Sequence, residues 1–225
     1  MPVPRILTVV LAAMLLLGGT SATSDAKGAD QPGVFPPGST PYGQSYGEWS
    51  ADWWQQVLRI PTSSNPLFEE GKVTCGLGTD DVVFLVGTFG GKARRSCSVE
   101  PGTALLLPLV NAACTKGGGD GDTRAELRAC AATLADSVDS VNATVDGRSL
   151  KGLLKRFRFA SRGFFVRLPE DNVLGAPAGR TLAAANGYWV MLRPLDSGRH
   201  TVSFGGTAGD FSTQVSYRIT VKQAS

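Results

Sequence analysis

The stretch "FSTQVSYRITV" (residues 211–221) decides the fold class. Phe211, Thr213, Val215, Tyr217, Ile219 and Val221 fall on one side of an extended chain, and Ser212, Gln214, Ser216, Arg218 and Thr220 on the other. A strict period of two marks a strand with one face in a core and one in water. "HTVSF" (200–204) repeats the pattern, with His200, Val202 and Phe204 together. "VVFLVGTF" (82–89), "ALLLPLV" (104–110) and "GYWVML" (187–192) are short apolar runs, as expected of strands buried on both faces. Pro108 inside the second run implies a bulge or an edge. "VNATVDGRSL" (141–150) contains Asp146-Gly147, a hairpin turn signal. "RFRFASRGFFVRL" (156–168) alternates phenylalanines and arginines around Gly163.

Only two segments have helical spacing. In "YGEWSADWWQQVLRI" (46–60), Trp49, Trp53 and Val57 recur every four residues and Pro61 closes the run. Around 123–138, Thr123 and Glu126 make a capping box, and Leu127, Cys130, Ala131, Leu134 and Val138 share a face. Eight or nine strands, two helices and frequent turns predict a mainly β domain, an antiparallel sandwich or jelly roll. A βαβ fold would need helices between most strands.

The flanks set place and organisation. Arg5 followed by the apolar run from Ile6 to Leu17, then small residues, reads as a signal peptide over 1–26. Residues 27–44 hold four prolines and several glycines, and read as an extended arm or linker. The single domain is expected over 45–225. The expected product is secreted, with no membrane span after cleavage. A net charge of +3 is too small to imply nucleic acid. Export makes the cysteines legible. Cys75, Cys97, Cys114 and Cys130 are even in number and allow three connectivities; the sequential one, Cys75–Cys97 and Cys114–Cys130, is expected because each bond closes a short loop. A metal site is disfavoured, since no C-x-x-C exists and His200 is the sole histidine. No cofactor is implied.

The order Y-G-x-S-Y-x-E-W-S-x-x-W-W, then Asn65-Pro66, the cysteine pairs, "LPEDNVLG" (168–175), "GYWVMLRPL" (187–195) and "GRHTVSF" (198–204) resembles a family of uncharacterised secreted bacterial proteins. The resemblance implies export and a single domain, and brings no activity and no catalytic residue.

Several residues could carry chemistry. Gly43-Gln44-Ser45-Tyr46-Gly47 fits the nucleophile elbow G-x-S-x-G, with His200 as the available base. An elbow needs a strand before the serine, and "FPPGSTPY" (35–42) excludes one. Ser45 and Glu48 also fit a capping box, which makes Ser45 a helix start. Glu48 and Asp52, four apart, share a helix face and could serve a glycosidase; acids in a first turn also simply complement the helix dipole. Tyr42, Tyr46, Trp49, Trp53 and Trp54 crowd one segment, as in a carbohydrate site or a core. Glu170, Asp171 and Asn172 could hold calcium or a hydroxylated ligand, or make an Asx turn. Asp120 and Asp122 carry a similar calcium suggestion. Lys92, Arg94 and Arg95, with Lys151, Lys155, Arg156, Arg158 and Arg162, could face anionic envelope polymers. The expected function is an extracellular binding protein for a glycan or envelope component, using Tyr46, Asp52, Trp54, Asp171 and Asn172. The alternative is an extracellular hydrolase using Glu48 and Asp52, or Ser45 and His200.

Overall fold

The structure is a computed structural model that describes residues 33–150 and 156–223. The signal-peptide reading of 1–26 and the lysines at 151 and 155 lie outside the described residues. Those described belong to one compact unit.

Among the described residues, eleven strands form two sheets. The first has the order β1 (Gly71–Lys72), β3 (Gly91–Val99), β11 (Phe211–Val221), β10 (Gly198–Ala208), β5 (Val138–Val145), β6 (Arg148–Ser149). The second has the order β2 (Val82–Phe84), β4 (Ala104–Thr115), β9 (Gly179–Leu192), β7 (Arg158–Ala160), with β8 (Phe164–Leu168) also on β9. Their inner faces share one apolar core that includes Leu105, Leu107, Val202, Phe204, Val215 and Ile219. The domain is a β-sandwich.

The alternation holds from Ser212 to Val221, but Phe211, expected on the core face, is exposed at the start of the strand. Thr213, Val215, Tyr217, Ile219 and Val221 are buried and Ser212, Arg218 and Thr220 exposed. β4 and β9 pair antiparallel at the centre of their sheet and are buried along most of their length, which explains their unbroken apolar runs. Pro108 sits at a register shift between Pro108 and Asn111, so the bulge it implied is present on a central strand. Asp146-Gly147 makes a two-residue hairpin between β5 and β6, with positive φ at both residues.

The expectation of a purely antiparallel sandwich needs one correction. β1 runs parallel to β3, β3 to β11 and β2 to β4, so both sheets are mixed. The chain passes from β3 to β4, and so changes sheet, rather than closing a hairpin in one sheet. β3 therefore meets the β10–β11 hairpin from outside and in the parallel sense. β3 itself escapes sequence reading because its inward positions are Ala93, Arg95, Cys97 and Val99, of which one is charged and one small.

The two helices form where their caps place them, but the expected apolar face of the second is shortened: Leu134 is exposed and Val138 begins β5. α1 (Tyr46–Leu58) packs against β7, β8 and β9, and α2 (Arg124–Asp136) against β4 and β9. Each begins with a complete capping box, Ser45 with Glu48 and Thr123 with Glu126. Both disulfides are the sequential ones: Cys75–Cys97 ties the segment after β1 to β3, and Cys114–Cys130 ties α2 to β4. The described part of the arm lies along the end of β9. Val34 bridges Leu192, the Phe35 N–H donates to the Met191 carbonyl, and Arg193 N–H donates to Gly33.

Candidate functional site

The residues read as site candidates are dispersed by the fold. Tyr46 is 1% exposed, and its hydroxyl donates to the Phe35 carbonyl at 2.8 Å while accepting the Met191 N–H at 3.3 Å. Its ring stacks on Phe159 at 4.4 Å. Burial raises its pKa, so it stays a neutral pin between arm, helix and sheet. Trp49 and Trp53 are core residues whose indoles donate to the carbonyls of Pro41 and Leu85.

Asp171 is an exposed loop residue whose carboxylate accepts the Ser63 N–H at 3.0 Å, a bond that holds its pKa down. Asn172 is buried, and its side chain makes four bonds within its own loop, to Pro169, Leu174 and Ala176. This is the Asx-turn alternative, and it leaves the amide with little to offer a ligand. Asp120 accepts the Thr115 N–H and Asp122 pairs with Lys116 at 3.7 Å. Asp120 also lies beside Cys114 and Cys130, but those sulfurs are joined to each other.

Of the hydrolase residues, Ser45, Glu48 and His200 are committed to structure. The Ser45 hydroxyl donates to Glu48 Oε2 at 2.7 Å, and that same oxygen accepts the Ser45 N–H at 2.8 Å. These bonds pull the Glu48 pKa down. Asp52 moves the other way, because burial raises its pKa more than the Gln44 side chain lowers it. On His200, Nδ1 meets Asp146 Oδ2 and Nε2 meets the Asp196 carbonyl, each at 2.8 Å. Both ring nitrogens are taken, so the imidazole has none free for a serine proton. Burial opposes its charge, but the bonds to Asp146 and Asp196 prevail and the pKa is raised.

A different surface presents organised chemistry. β3, β11 and β10 turn their outward side chains to the same side, in the rows Arg94–Ser216–Ser203, Ser96–Arg218–Thr201 and Ser98–Thr220–Arg199. β1 adds Lys72 beside Ser96. Two adjoining depressions of ≈ 730 Å³ and ≈ 710 Å³ open on this face and share Lys72, Ser96, Thr201 and Arg218. Lys72, Arg94, Arg199 and Arg218 are exposed and make no ion pair among the described residues. No carboxylate lines either depression.

Arg95, in the same strand, points the opposite way. It is 3% exposed, and its guanidinium donates to the carbonyls of Glu69, Val86 and Gly87 and to the Tyr217 hydroxyl. Its neighbours Arg94 and Ser96 are thereby turned outward. Of the face's cations, the sequence reading singled out Lys92 and Arg94 but passed over Lys72, Arg199 and Arg218. The signal was present in the polar half of the 211–221 alternation, where hydroxyls and a cation recur with no acid.

Trp54 has a third situation. It is 7% exposed and lines a cavity of ≈ 230 Å³ together with Gly87, Phe89, Leu109, Val110 and Phe211, among others. Neither Asp52 nor Asp171 lines it.

A disulfide-bonded β-sandwich with one cationic, hydroxyl-lined sheet face is the class of protein defined here. Compared with known proteins, the chain matches no family model, no curated protein and no solved structure.

Proposed function

We propose that this is an exported binding protein whose outer β1–β3–β11–β10 face holds an anionic glycan of the cell envelope. The observation that carries the reading is the concave set of four unpaired cations, Lys72, Arg94, Arg199 and Arg218, among serine and threonine hydroxyls without a carboxylate. Fixed cations attract an extended polyanion, and the hydroxyls can bond to sugar oxygens between the charges. A rigid sheet presents both in register. The two disulfides and the signal-like N-terminus support an oxidising, extracytoplasmic setting. The hydrolase alternative has less support. Ser45 and Glu48 spend their polar atoms on the helix cap, and His200 on Asp146 of the β5–β6 hairpin and the Asp196 carbonyl.

The test is binding of a fluorescent heparin fragment, as a polyanionic glycan probe, to the mature chain, with neutral dextran as control. Heparin should bind and dextran should not. Lys72→Glu with Arg218→Glu should weaken heparin binding by about ten-fold or more, at roughly 1 kcal/mol per exposed contact. Equal binding of dextran and heparin, or an unaffected double variant, would overturn the reading.

A further inference from the structure

We infer that the cavity beside Trp54 is a second ligand site, separate from the sheet face, for a small neutral apolar molecule carrying one hydrogen-bond acceptor. Four features converge on it. The cavity is lined by α1, β4 and β11 together with the loop residues Leu67, Gly87, Thr88, Phe89 and Leu174, with the β4 bulge at Pro108–Asn111 on its wall. A bulge breaks the ladder and opens space that regular pairing would close. Its mouth is aromatic. Phe89 and Phe211 line it while 54% and 40% exposed, and Phe68, 52% exposed, packs on Phe89 at 6.0 Å. Three large apolar side chains held together in water mark a surface that is used rather than a chance exposure.

The third feature is chemical. The Trp54 indole N–H is buried and meets no acceptor among the described residues. A buried donor left unbonded is costly, and native proteins nearly always satisfy it. An acceptor oxygen on a ligand would do so. The hydroxyl and amide side chains on the lining are Thr88 and Thr213, which bond to each other at 2.8 Å, and Asn111. The fourth feature is charge. No Asp, Glu, Lys, Arg or His lines the cavity, so a charged ligand would be left unpaired there. At ≈ 230 Å³ the space exceeds the roughly 150 Å³ that holds a benzene. A substituted monocyclic arene or a short acyl group fits that size.

Acetophenone and α-methylstyrene distinguish shape from the hydrogen bond, since they differ in C=O against C=CH₂. The chain has four tryptophans, whose indole N–H signals are followed in a ¹H–¹⁵N spectrum and assigned with Trp54→Phe. Saturable movement of the Trp54 signal by acetophenone is expected, with about five-fold weaker binding of α-methylstyrene. Trp54→Phe should erase that difference. A Cβ on Gly87 would meet Pro108 at 3.8 Å and Thr213 at 4.0 Å, both ordinary contacts, so Gly87→Val should narrow the space and weaken binding of both probes about ten-fold or more. If Gly87→Val melts early, Ala112→Leu on the same wall serves instead. No saturable shift with either probe, equal affinities for the two, or undiminished binding by a folded narrowed-cavity variant would overturn the site. Heparin binding by the narrowed variant should be unchanged, which separates this site from the sheet face.

Discussion

At Ser45, one hydroxyl accepts the Glu48 N–H and donates to the Glu48 carboxylate, closing the first turn of α1. Ser45→Ala should lower stability by about 1 kcal/mol in chemical denaturation and leave heparin binding intact. Covalent labelling by a fluorophosphonate at Ser45 would contradict this account. The glycines of the G-x-S-x-G stretch have equally local causes. Gly43 takes a φ of 82° in the turn before the helix. At Gly47, a Cβ would stand 2.4 Å from the Ala160 carbonyl oxygen, because the first turn of α1 presses on β7. Gly47→Ala should therefore cost about 1–3 kcal/mol, although alanine is the better helix former. An unchanged or raised denaturation midpoint would refute that close approach. Arg95 is the opposite case, a cation whose partners are carbonyls and one phenol. Arg95→Ala should destabilise by about 3 kcal/mol, as a folded core loses its donor to several carbonyls at once. Arg94→Ala, one residue away and exposed, should cost under about 0.5 kcal/mol in the same measurement.

The elements depend on links that sequence spacing identified. α2 buries only Leu127, Ala131 and Ala135, a narrow stripe, and contributes to a small cluster with Cys114 and Ala184. The Cys114–Cys130 bond compensates for that modest packing by joining α2 to β4. Replacing both cysteines by serine should lower stability by about 3 kcal/mol on the chain-entropy model, read as a shifted denaturation midpoint. The β5–β6 hairpin carries a pH-dependent link. Asp146 accepts from His200 and from the Thr201 N–H. Burial works against the Asp146 charge, but those bonds prevail and its pKa is lowered, while that of His200 is raised. The raised histidine stabilises the fold below its unfolded pKa of about 6.5 and loses that contribution as pH rises through its folded value. The lowered aspartate contributes above its unfolded pKa of about 3.9 and loses that as pH falls further. Their joint contribution is greatest between about pH 4 and 6.5. Asp146→Asn should thus depress the melting temperature more at pH 5.5 than at pH 8.5. An equal depression at both values would show that the pair does not titrate as described.

For the whole molecule, the two sheets divide the labour. The inner faces supply the core, and the two depressions on the outer face of the larger sheet are lined by four exposed cations with Ser and Thr in between. If those charges hold the polymer, heparin affinity should fall steeply between 50 and 300 mM salt, because exposed ion contacts are screened over roughly 10 Å or less. Salt-independent affinity would argue against the face. The sequence by itself determined the strands with strict alternation, both capped helices and the hairpin turn at Asp146-Gly147, and its spacing favoured one of three disulfide pairings, because each depends on contacts between residues near in the chain. Local patterns of that kind are written in spacing and side-chain type. The tertiary structure alone decided that β3 joins β11 in parallel, that Arg95 turns inward while Arg94 faces out, and that Trp54 borders a cavity reached by Leu174 of the 168–175 loop but not by Asp171. It also gathered Lys72, Arg94, Arg199 and Arg218 from four strands onto one face. Those relations join residues up to about 150 positions apart, and no period along a single strand carries the strand order that brings them together.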